Sequence, residues 1–97
     1  MGRSRIDANQ VEIMRGLRSI GATVQSLADV GKGCPDLLIG FQGRNIVVEV
    51  KDGKKTVSRR RLTPAEEEWQ QLWRGQVAIV TNLDEALAVI GAKRSER

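Results

Sequence analysis

The spacing of apolar residues changes along the chain, and each change marks an element. Ile6, Ile13, Met14, Leu17 and Ile20 fall on one face of a helix over residues 6–20. Gly21 follows where a left-handed residue ends helices. Residues 23–27 alternate as a short strand, and residues 29–34, with Gly31 and Gly33 around Lys32, read as a loop. Residues 36–41 and 45–51 are apolar, β-branched runs separated by Gln42-Gly43, which predicts a tight hairpin. Residues 52–61 form a polar, basic loop. Thr63, Pro64 and Glu66 open a second helix as cap, first helical residue and capping-box partner; it runs to about Arg74, and Gly75 stops it. Residues 76–81 read as a buried strand, and Asn82, with Glu85 three residues on, caps a last helix ending near Gly91. The order is α-β-β-β-α-β-α. The strand–helix–strand passage from 45 to 81 requires at least one parallel strand pair. The chain is therefore expected to be one α/β domain over residues 1–97, a small mixed sheet flanked by helices.

The hairpin places chemistry on one face. Glu49 and Lys51 are two apart on a strand and point the same way. With Gln42-Gly43 as a two-residue turn, Phe41 faces Arg44, and stepping along the pair brings Asp36 opposite Glu49. Both carboxylates would then share a face with Leu38, Val47 and Lys51. The other face would carry Leu37, Ile39, Ile46, Val48 and Val50, a core face. A three-residue turn would separate the carboxylates. Like charges directly opposite in a sheet are destabilising, so such a pair needs a shared proton, the Lys51 ammonium or a divalent metal with its affinity for hard oxygen ligands. Acidic and basic residues also alternate on strand faces that are simply solvated.

Composition narrows the chemistry. The 97 residues include no His, no Tyr and a single Cys, Cys34. That excludes His-based triads and His metal ligands, Cys-cluster zinc sites and a disulfide framework. Cys34, beside Pro35, has no nearby base to make it a nucleophile and reads as a small buried residue. Phe41, Trp69 and Trp73 are the whole aromatic complement, too few for a base-stacking platform. Trp69 and Trp73, four apart on one helix face, read as core or dimer-interface anchors. The net charge of +4 is unevenly spread. Residues 52–62 hold five basic residues and one acidic, whereas residues 63–92 hold one basic and five acidic. Lys54, Lys55, Arg59, Arg60 and Arg61 are thus the leading candidates for phosphate contacts, with Lys32, Arg3 and Arg5 behind them. No apolar run has the length of a membrane span and no signal-peptide pattern opens the chain, so a cytoplasmic protein is expected.

At these residues the sequence resembles the PD-(D/E)XK nucleases. Gly33-Cys34-Pro35-Asp36 followed by Glu49-Val50-Lys51 looks like their signature. The surrounding residues, among them Gln10, Glu12, Leu17-Arg18, the run Asp36-Leu37-Leu38-Ile39-Gly40, Arg61-Leu62-Thr63-Pro64-Ala65-Glu66, Trp69 and Asp84-Glu85-Ala86-Leu87, are similar to the virus-type replication-repair nuclease (VRR-Nuc) family, over residues 5 to 92. The resemblance implies a restriction-endonuclease-like core and a stand-alone, phage-type, metal-dependent endonuclease in a phage or bacterial-host cytoplasm. It implies that Asp36, Glu49 and the Val50 carbonyl ligate Mg²⁺ or Mn²⁺. Lys51 would orient or help deprotonate the attacking water, or stabilise charge on the scissile phosphate. A further polar residue is expected from the first helix: Glu12 has the better ligand chemistry, Gln10 the better position. Many members carry Gln where this chain has Glu66. Branched DNA, such as a four-way (Holliday) junction, is the implied substrate, and a homodimer the implied assembly. A flap or nicking enzyme of the same superfamily, or a non-catalytic DNA-binding module that keeps the fold, are the alternatives.

Overall fold

The computed structural model describes residues 8–54 and 61–92. The elements are α1 (Ala8–Ser19), β1 (Thr23–Ser26), β2 (Leu37–Phe41), β3 (Arg44–Val50), α2 (Pro64–Leu72), β4 (Val77–Val80) and α3 (Leu83–Ile90), in the expected α-β-β-β-α-β-α order. The four strands form one mixed sheet in the order β1-β2-β3-β4. The β1–β2 and β2–β3 pairs are antiparallel and β3–β4 is parallel.

The hairpin has the expected two-residue turn, with Phe41 paired to Arg44 and Leu37 to Val48. Gln42 and Gly43 both have positive φ, 53° and 79°, as a turn matching the right-handed twist of the strands demands. This register sends Leu37, Ile39, Val48 and Val50 to one face, where they pack with Val80 against Ile13 and Leu17 of α1 and Ala86, Leu87 and Ile90 of α3. A Cβ on Gly16 would collide with the Leu83 side chain, so a glycine in mid-helix lets α1 and α3 approach closely. Arg44 ties the far end of β3 to the last turn of α3 through the Ile90 carbonyl, at 2.6 Å.

Helix ends follow their local chemistry. The Thr63–Glu66 capping box is complete, with Pro64 in the first turn. Asn82 caps α3 through the Glu85 N–H, and Gly91 closes that helix in the left-handed region. The second long helix ends earlier than expected, at Leu72 instead of near Arg74 and Gly75, because Trp73 already has an extended backbone (ψ 128°). The two tryptophans are not core residues. Their rings stack on each other, centroids 4.6 Å apart, and Trp73 is 44 % exposed. The reason is the helix they sit on: no residue of α2 is fully buried. Ile20 is also exposed, one residue beyond the end of α1.

Candidate active site

Asp36 stands at the end of β2 and joins three strands. Its carbonyl accepts from the Leu27 N–H (2.8 Å), continuing the pairing with β1, while its carboxylate accepts from the Val50 N–H of β3 (2.8 Å). A side chain thus takes over where the backbone ladder stops, which fixes the carboxyl group beside β3. Pro35 before it is fully buried. Gly33, at φ +82°, lies so close to the Ala65 carbonyl that any Cβ would clash. The loop that delivers Asp36 is therefore seated directly on the first turn of α2.

Glu49 is only 3 % exposed, the single buried carboxylate among the described residues. It is one residue beyond the Leu37–Val48 pair, on the face opposite the core, with the carboxyl groups of Asp36 and Glu66 close enough to act on it electrostatically. Lys51 lies within 3.5 Å of Glu49 and 2.8 Å of Glu66. The same Glu66 oxygen accepts from the Thr63 N–H at 2.9 Å. Glu66 therefore closes the capping box of α2 and anchors Lys51 at once.

The charges do not balance. Three carboxyl groups share one ammonium. Burial, then the proximity of Asp36 and Glu66, push the Glu49 carboxyl up to about 8. Burial also raises Asp36, against the Val50 N–H that favours its anion. Burial works on Glu66 in the same direction, but the Lys51 hydrogen bond and the Thr63 N–H outweigh it and hold Glu66 below its ordinary value. Burial alone would lower Lys51; its hydrogen bond to Glu66 and the nearby Glu49 win, so Lys51 is held above its ordinary value. The Cys34 thiol is raised by burial and then by Glu49 and Asp36, the opposite of what a reactive thiolate requires.

Asp36, Glu49, Val50 and Lys51 are brought together; among the described residues, no hydrogen bond or ion pair joins the remaining candidates to them. Gln10 is buried on the inward face of α1 with Ile13 and Leu17. Glu12 is exposed and lines a groove with Asp52, Gly53 and Lys54. Lys32 (φ 57°) is exposed in its loop, and Lys54 and Arg61 are exposed too. Lys55, Arg59 and Arg60, with Arg3 and Arg5, lie outside the described residues. Three residues carry more than their sequence context suggests. Glu66 reads only as a capping residue, yet it holds Lys51. Asn9 donates its amide to the Lys51 carbonyl at 3.0 Å. Gln70, one turn after Glu66, has a buried amide nitrogen with no hydrogen-bond partner among the described residues. Only Glu66 had a sequence signal, its capping spacing; isolated Asn and Gln have none.

Among the described residues, no group of three or more His, Cys, Asp or Glu side chains is arranged to hold a metal ion. The donors available are the Asp36 and Glu49 carboxylates and the Val50 carbonyl, since Glu66 is committed to Lys51 and Thr63. That set suits Mg²⁺, which binds through one or two carboxylates and keeps several waters. No helix of the described residues is long and apolar enough to cross a membrane. The chain matches no protein-family model, no curated protein and no solved structure.

Proposed function

We propose that this chain is a divalent-metal-dependent endonuclease acting on branched DNA, such as four-way junctions, as its resemblance to the VRR-Nuc family implies. The observation that carries the reading is the convergence of Asp36, Glu49 and Lys51 on one sheet face, with an excess of carboxylate over ammonium. A divalent cation offsets that excess, and a neutral or hydrated site would have little reason to bury Glu49. Asp36, Glu49 and the Val50 carbonyl would hold Mg²⁺ or Mn²⁺. When bound, the metal polarises the phosphoryl oxygen and lowers the pKa of water.

The protein's own residues have separable parts. Lys51, kept protonated by Glu66 and Glu49, is suited to orienting the attacking water and stabilising charge on the phosphate, and poorly suited to removing a proton. Glu66 fixes the Lys51 ammonium at the amino end of α2. Exposed basic residues, including Lys54 and Arg61, supply phosphate affinity without reading bases. A homodimer would join through the exposed Leu72 at the end of α2, Trp73 just after it and Ile79 of the edge strand, presenting two sites to two strands.

The test is cleavage of labelled four-way, flap and linear duplex DNA with Mn²⁺, Mg²⁺ or EDTA. Asp36→Asn and Lys51→Ala are expected to lose about a hundredfold or more in rate, the scale set by removing one group that stabilises a transition state. Full cleavage by either variant overturns the reading. Salt-sensitive DNA binding that is indifferent to chelator, without any nicking, would instead identify a non-catalytic DNA-binding module.

A further inference from the structure

Between the amino end of α1 and the carboxy ends of β3 and β4 lies a groove of about 560 Å³, lined in part by Asn9, Glu12, Asp52, Lys54, Thr81 and Asn82. Asp36, Glu49 and Lys51 do not line it. The two places nevertheless share a wall. Asn9, in the groove, holds the Lys51 carbonyl, and Asp52 and Gly53 continue directly from Lys51. The groove therefore adjoins the backbone that carries Lys51.

The lining argues against a phosphate there. Among the described residues, Glu12 and Asp52 face one ammonium, Lys54, so this part of the lining carries no positive excess of the kind phosphate binding needs. The remaining polar groups are only half committed. Asp52 uses one oxygen to accept from the Lys54 N–H at 2.9 Å. Asn82 uses its oxygen as a helix cap, accepting from the Glu85 N–H at 2.8 Å, which leaves its amide hydrogens. Asn9 donates to Lys51, which leaves its oxygen. What remains is a mixture: oxygen acceptors on Glu12, Asp52 and Asn9, and N–H donors on the Asn9 and Asn82 amides and the Lys54 ammonium. That pattern complements a base edge bearing an exocyclic amino group: carboxylates accept from cytosine N4, and Asn amides match adenine. The volume lies within the roughly 300–1,000 Å³ typical of small-ligand sites. A base stacked in a duplex cannot enter such a groove; one left unpaired at a branch can.

We propose that this groove receives an unpaired nucleobase whose exocyclic amino group stands beside a ring-nitrogen acceptor, adenine or cytosine, from the nucleotide next to the scissile phosphate. The inference rests on the nuclease reading and sharpens its substrate to a strand with an unstacked base beside the cut.

The experiment uses the full chain in EDTA, so that no cleavage is required. Flap and four-way DNA each carry one 2-aminopurine, stepped through the positions flanking the branch. Binding is followed by anisotropy of a distant label and unstacking by 2-aminopurine emission. Emission should rise at one flanking position. Thymine at that position, lacking the amino group, should weaken binding about tenfold. The Glu12→Ala, Asp52→Ala double variant, which removes both acceptors, should lose the emission rise. If these carboxylates merely sat beside phosphates, neutralising them would tighten binding and leave the emission pattern unchanged. DNA binding with no position-specific rise, or a rise that survives the double variant, overturns the inference and leaves the nuclease reading standing. Absence of any DNA binding overturns both.

Discussion

On one face of the sheet, Leu37, Ile39, Val48 and Val80 are fully buried beneath two helices. On the other, one residue away along the same strands, Asp36, Glu49 and Lys51 lie beneath the first turn of a single short helix with no fully buried residue. The difference separates two tasks that the same seven residues of β3 perform together. Apolar burial on the first face stabilises the fold, at about 25 cal/mol per Å² of area removed from water. The second face holds an arrangement that local energetics oppose: opposed carboxyl groups, one of them buried. A strand can do both because its side chains alternate. The stabilising face carries the fold while the other remains available to charge.

Three predictions bear on that contrast, from the largest expected effect to the smallest. Leu37→Ala should cost about 2–5 kcal/mol of stability, as buried Leu truncations do. Leu38→Ala, its neighbour on the other, half-covered face, should cost much less, and chemical denaturation of both proteins compares them directly. Equal losses would mean that the two faces are equally packed.

The second concerns Glu49. Its folded-state pKa of about 8 exceeds the ordinary 4.5. The folded protein therefore keeps a proton that the unfolded chain releases, and this group's contribution, full below about pH 4.5, is lost as pH rises towards 8. Metal-free protein should be less stable at pH 8 than at pH 5, and Glu49→Gln should flatten that slope, gaining on the order of 2 kcal/mol at the alkaline end. Mn²⁺, which favours the anion, should restore wild-type stability at pH 8 and release protons on binding at pH 7. Thermal unfolding in EDTA and in Mn²⁺ reads both effects; an unchanged slope in the variant would remove Glu49 as the cause.

The third tests Glu66, which belongs to both the helix cap and the charged cluster. Glu66→Ala should cost about 1 kcal/mol through the broken capping box and also impair cleavage by releasing Lys51. Glu66→Gln keeps an oxygen for both Thr63 and Lys51, so it should retain most stability while shifting the alkaline limb of the pH–rate profile to lower pH, since Lys51 loses an anionic neighbour. Identical behaviour of the two variants would show that the charge of Glu66 matters and its capping oxygen does not.

Much of this was legible in the amino-acid order because it depends on short-range rules. Period-two alternation and a two-residue turn at Gln42-Gly43 were enough to place Asp36 opposite Glu49, and Thr63-Pro64-Ala65-Glu66 was enough to start α2. These features involve neighbours in sequence, or a register that one turn sets. What the sequence did not reveal involves contacts between distant segments. Trp69 and Trp73 have a helical spacing that suits a core, yet whether a core lies beneath them depends on how far α2 reaches over the sheet. Glu66 has one local task that its spacing announces and one distant task, holding Lys51, that only the docking of α2 on the Gly33 loop creates. Asn9 and Gln70 carry no signal until α1 and α2 are set against the sheet. The sequence by itself determined the elements, their order and the face shared by the two carboxylates, because alternation and turn chemistry act within a hairpin. Tertiary structure decided how deeply Glu49 is buried, which partner Lys51 keeps and where the groove opens, because burial and electrostatics depend on every segment that meets at a point in space.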